Sequence, residues 1–119
     1  MAEPGAPIIM TAMMGPADQA WANDLRQRHF PPERNHLAAH LTLFHHLPPS
    51  LVADLRATLS RFAAGPKPAA SIIRVYSLGA GVALQIDSPA LLAMREEIAE
   101  RVERHLIPQD RQAARLHIT

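Results

Sequence analysis

Proline placement limits this chain more than any other feature. Eleven prolines fall within 119 residues. Proline lacks an amide hydrogen and clashes with the preceding helical turn, so each one marks a boundary or a break. Gly15-Pro16, Pro31-Pro32, Pro48-Pro49 and Gly65-Pro66 divide the chain into pieces that suit one strand or one helix of moderate length. No apolar run approaches the roughly 20 residues that a bilayer-crossing helix needs.

Between these breaks two periodicities alternate. Residues 8–14 form a short apolar run and predict a buried strand. Over 17–30, Trp21 and Leu25 repeat at helical spacing, which predicts a core position for Trp21. Asp18 lies in the first turn and Arg26, Arg28 and His29 in the last, as the helix dipole favours. Residues 36–47 read as a strand with Leu41, Leu43 and Leu47 on one face and His40, Thr42 and Phe44 on the other. A second helix follows Pro48-Pro49, its apolar stripe made by Leu51, Leu55, Leu59 and Phe62. Strands over 69–78 and 81–87, joined at Gly79-Ala80-Gly81, predict an antiparallel pair. Ser88 suits an N-cap with Pro89 at the first helical position. The third helix turns Leu91, Met94, Ile98, Val102 and His105 or Leu106 inward, with Glu97–Arg101 and Glu100–Arg104 pairs outside. A last strand begins at residue 115. This order predicts one α+β domain over residues 1–119, with helices laid on an antiparallel or mixed sheet.

Composition narrows the chemistry. The absence of cysteine removes disulfides, thiolate nucleophiles and Cys-ligated zinc. Twelve basic against eleven acidic residues give a net charge of +1, which argues against a broad cationic face for duplex DNA but leaves a local anion pocket open. Lys67 is the only lysine. This arginine bias fits either phosphate recognition or a genome that favours Arg codons. Met1 to Pro7 carries no leader pattern, so the expected location is the cytoplasm, with no membrane partner.

Two short motifs carry the functional signal. His40-Leu41-Thr42 and His117-Ile118-Thr119 share one pattern, and in a strand residues i and i+2 point the same way. Each motif therefore offers an imidazole and a hydroxyl on one face, with an apolar residue buried behind. With seven histidines among 119 residues, one chance His-x-Thr is expected about 0.2 times and two about 0.03 times. The pairing suits phosphoryl chemistry without a metal or cofactor. One imidazole takes a proton from the attacking oxygen, the other protonates the leaving oxygen, and the hydroxyls bind non-bridging phosphate oxygens.

The doubled motif resembles the 2H phosphoesterase superfamily, specifically its 2′-5′ RNA ligase-like branch. Residues 30–35 leading into Ala39-His40-Leu41-Thr42-Leu43-Phe44, and Leu78-Gly79-Ala80-Gly81-Val82-Ala83 before the third helix, look like bacterial members. The resemblance covers nearly the whole chain. It implies a bilobal fold with pseudo-twofold symmetry, and a groove to which each lobe supplies one motif. His40 and His117 would be the acid/base pair, and Thr42 and Thr119 the phosphate-binding hydroxyls. The implied partners are RNA ends, 2′,3′-cyclic phosphates or 2′-5′-linked nucleotides, by hydrolysis or by ligation. A non-catalytic RNA-end or nucleotide-binding module is the rival reading. Members of the family continue past the second motif, which predicts a chain truncated after Thr119, an incomplete second lobe, and an open sheet edge able to support a strand-swapped dimer.

Other side chains are read more plainly. His36, His45 and His46 flank the first motif without a nearby carboxylate, so surface or groove positions are expected rather than zinc ligation. His29 and His105 sit near helix ends. Arg74 and Tyr76 lie opposite Ile73 and Val75. They fit equally a phosphate contact with a stacked base, or ordinary outward positions.

Overall fold

A computed structural model describes residues 5–79 and 81–119. Among these residues nine elements of regular structure follow the proline breaks: β1 (Ile8–Ala12), α1 (Pro16–His29), β2 (Leu41–Leu47), α2 (Val52–Ala63), β3 (Ser71–Ser77), β4 (Val82–Asp87), α3 (Pro89–Arg101), α4 (Pro108–Arg111) and β5 (His117–Ile118). Short 3₁₀ turns begin at Pro32 and Pro49, and a third spans Glu103–His105. Proline at the first turn of α1, α3 and α4 gives up an amide that no helical partner would accept. Ser88 caps α3 as its sequence predicts, its hydroxyl oxygen accepting the Leu91 amide at 3.3 Å while its O–H donates to Ala69 O at 2.7 Å. Gly79 adopts a φ of 92°, which glycine tolerates without a Cβ penalty. The Leu78 amide there donates to Gly81 O at 2.8 Å. Ala80 of this turn and Met1 to Pro4 of the N-terminus lie outside the described residues.

All five strands form one antiparallel sheet in the order β1-β2-β5-β4-β3. The last and shortest strand is therefore the central one, and the hairpins β1–β2 and β3–β4 meet through it. Leu41 pairs with Ile118, and Ile118 with Leu84, so a row of apolar side chains crosses the sheet on one face. Leu41, Ile86 and Ile118 join Ala22 of α1, Leu55 of α2 and Ile98 of α3 in a single core cluster. The three long helices thus cover the same face and leave the other side of the sheet open.

Several sequence-based expectations are corrected. Phe44 is fully buried in the core cluster and not on the face of Thr42. The β1–β2 register slips between Met10↔Phe44 and Thr11↔Thr42, and such a bulge reverses the alternation beyond it. Trp21 is 48% exposed, because Ala22 and Arg26 take the inward stripe of α1. Leu59 is exposed, while Leu55 and Thr58 face inward on α2. Glu97 pairs with Arg61 of α2 and not with Arg101, and among the described residues no ion pair joins Glu100 to Arg104. Leu106, not His105, enters the core. Residues 36–40 precede β2 and do not belong to it. No helix among the described residues is long and apolar enough to cross a membrane.

Candidate active site

The Leu41↔Ile118 pairing sets the geometry of the two motifs. One residue to either side, the same antiparallel register brings His40 beside Thr119 and Thr42 beside His117. By strand alternation Thr42 and His117 project from the open face, opposite the buried Leu41 and Ile118, and His40 and Thr119 flank them just outside β2 and β5. Directly opposed residues have Cβ atoms roughly 4.5–5.5 Å apart, and diagonal ones roughly 7–8 Å. In that register the two histidines stand diagonally to each other, each opposite the threonine of the other motif.

Both imidazoles are held in the same way. His40 Nδ1 lies 2.8 Å from Ala38 O, and His117 Nδ1 lies 2.8 Å from Arg115 O. A carbonyl oxygen only accepts, so in each ring Nδ1 carries the hydrogen. Nε2 is then the ring nitrogen that the backbone leaves unengaged. The backbone two residues upstream thus fixes tautomer and ring orientation identically in both motifs.

One face of α1 anchors both motifs. Gln19 Nε2 donates to Ala39 O at 2.7 Å, and the Ala39 amide donates to Asn23 Oδ1 at 2.8 Å. This fully buried alanine immediately precedes His40. One turn further on, Arg26 Nη1 donates to Thr119 O at 2.8 Å and its Nε donates to Asn35 Oδ1 at 3.2 Å. The guanidinium carbon lies 4.1 Å from the Phe30 ring centroid. Positions 19, 23 and 26 follow helical spacing, so the sequence shows a polar stripe but not its partners, which lie at Ala39 and Thr119.

The open face continues onto the β3–β4 hairpin. His117 pairs with Gln85, Gln85 with Arg74, and Ala83 with Tyr76. Tyr76 meets His117 edge-on at 6.5 Å between centroids. Arg74 and Arg115 lie over the same tyrosine ring at 5.4 and 4.9 Å. Of the alternatives left open for Arg74 and Tyr76, the structure sets both on the face of the motifs.

The flanking histidines have separate surroundings. His45 Nδ1 donates to Asp110 Oδ1 at 2.9 Å, and the His45 and His46 amides donate to the same carboxylate at 3.0–3.1 Å. Asp110 is almost completely buried. Burial pushes its carboxyl pKa up, but hydrogen bonds from the His45 amide and ring and the His46 amide outweigh that and hold it below the ordinary value. Arg95, also buried, completes the unit by donating to Leu43 O at 3.0 Å and Asp110 O at 2.8 Å. This network closes the β2 bulge. Nothing in the sequence separates Asp110 from the polar loop around it. His36 lines a small cavity of about 250 Å³ with Asn23, Arg26 and Asn35.

A larger cavity, about 710 Å³, lies behind the motifs on the helix-covered side, with Leu41, Ile86 and Ile118 among its lining. It contains none of the four motif histidine and threonine side chains, so its size does not mark the chemistry.

Residues 15–119 match the family model described as the 2′-5′ RNA ligase superfamily. No curated protein and no solved structure matches the chain.

Proposed function

The chain belongs to the 2′-5′ RNA ligase superfamily, and we propose that it acts on 2′,3′-cyclic phosphate or 2′-5′ phosphodiester bonds by metal-independent two-histidine acid/base catalysis. The observation that carries this reading is the matched pair of Nδ1 contacts at Ala38 O and Arg115 O, which leaves Nε2 of both rings unengaged by the backbone, one just before β2 and the other on the adjacent β5. In hydrolysis of a cyclic phosphate, one Nε2 removes the proton from the attacking water as its oxygen bonds to phosphorus. The other imidazolium protonates the ribose oxygen as the P–O bond breaks. Thr42 and Thr119 donate hydrogen bonds to the non-bridging oxygens, whose charge grows in the transition state. Because the two imidazoles are held alike, the roles exchange in the reverse direction, and ligation uses the same residues.

The test is turnover of a 2′,3′-cyclic nucleotide and of a 2′-5′-linked dinucleotide in EDTA, for the chain beside its His40→Ala variant. Turnover that survives EDTA and is lost in the variant supports the reading. Binding of either compound without turnover would replace it with a nucleotide-binding module.

A further inference from the structure

Resting on that reading, we infer that Arg74, Tyr76 and Arg115 form a second anion site beside the reacting centre, which takes an additional phosphate of a substrate that carries at least two. The reacting phosphodiester occupies the space between His40 and His117. Beyond His117 along the open face, past β4, lies Tyr76, in edge contact at 6.5 Å. Two guanidiniums rest on that ring, Arg115 at 4.9 Å and Arg74 at 5.4 Å.

Like charges gathered on one aromatic ring repel each other unless an anion or a carboxylate joins them. Among the described residues neither arginine forms an ion pair, and both are exposed. Arg74 Nε is tied at 2.5 Å to Gln85 Oε1, a neutral acceptor that orients the guanidinium without cancelling its charge. Arg115 lies over the same ring at 4.9 Å, two residues before His117, whose ring its backbone carbonyl holds. The tyrosine ring therefore gathers two guanidiniums without a carboxylate partner, one of them oriented by Gln85, and such forks bind phosphate oxygens in pairs. With both guanidiniums against it, the ring serves as their platform and not as a stacking surface for a base. A nucleoside cyclic phosphate has one phosphate and leaves this site empty. An RNA end has a further phosphate one nucleotide away and fills it.

Equilibrium binding tests this apart from catalysis. The probes are a nucleoside 3′-monophosphate, a nucleoside 3′,5′-bisphosphate and a dinucleotide with a 3′-terminal phosphate, all measured in EDTA with the chain and with an Arg74→Gln/Arg115→Gln variant. The expected result is that a two-phosphate probe binds about tenfold more tightly than the monophosphate, a fold-change in the range of a charge-assisted contact. Its salt dependence should be steeper by about 0.7 in log–log slope. Both differences should collapse in the variant. An advantage for the bisphosphate assigns the site to a 5′-phosphate, and one for the dinucleotide alone assigns it to the internucleotide diester. Equal affinities for all three probes, or an advantage that persists in the double variant, would overturn the inference. Loss of turnover with the two-phosphate advantage intact would overturn the catalytic reading and leave this site standing.

Discussion

Arg26 and Thr119 stand 93 positions apart in sequence and are joined by a 2.8 Å hydrogen bond from the Arg26 Nη1 to the Thr119 carbonyl oxygen. That contact ties the second motif to the helix that also grips Ala39, next to the first. The spacing between the two motifs is therefore set by α1 as well as by the two-residue strand β5. A short ladder alone would leave the second motif free to fray.

Replacing Arg26 should loosen the second motif more than it unfolds the domain. Arg26→Met keeps the length and the contact with Phe30 but removes both donors. The expected result is a fall in kcat of about tenfold or more with KM changed much less, because misplacement by a fraction of an ångström weakens a positioned group. Arg26→Lys restores one donor and should recover part of the rate. Steady-state kinetics on a 2′,3′-cyclic nucleotide reads this directly.

Asp110 should carry acid sensitivity. Its carboxyl is held below the ordinary value, so the ionised form favours the folded state. That contribution is complete above the unfolded carboxylate value of about 3.9 and disappears as pH falls through the lower folded value. Urea unfolding at a series of pH values should show stability falling on acidification. In Asp110→Asn that dependence should be weaker. The variant should also be less stable near neutrality by about 2–3 kcal/mol, since the His45 and His46 amides lose a charged acceptor.

Phe44 should behave as a core residue despite its apparent place on the face of Thr42. Phe44→Ala is expected to cost about 3–5 kcal/mol of stability, measured by thermal or chemical unfolding. A cost near zero would contradict the bulge that turns it inward.

Much of the architecture could be read from the sequence because it rests on local rules. The proline breaks delimit the elements, the Ser88-Pro89 pair starts α3, and alternation over residues 82–87 marks a strand. The doubled motif is likewise local, and the Leu41↔Ile118 register sets its two copies side by side. What was hidden depends on contacts far apart in sequence. The Phe44 face follows from a register slip against β1, and Asp110 acquires its role only when α4 meets the β2 bulge. Gln19, Asn23 and Arg26 look like an ordinary polar helix face until Ala39 and Thr119 supply their partners. Trp21 misleads for a similar reason, because Ala22 and Arg26, and not the largest apolar side chain, turn inward.

The pH dependence of turnover should be bell-shaped and unchanged by EDTA, since one imidazole must be neutral and the other protonated for the same event. A rate that rises to a plateau without a second limb would contradict an acid/base pair, as would strict dependence on an added divalent cation.

The most direct test of the central claim compares His40→Ala, His117→Ala and the double variant for kcat/KM on a 2′,3′-cyclic nucleotide. Residues that act as one unit show non-additive losses. Each single substitution is predicted to reduce turnover by at least about a hundredfold, with the double variant little worse than either alone. Losses that multiply in the double variant, or a His117→Ala chain that keeps nearly full activity, would contradict a two-histidine mechanism.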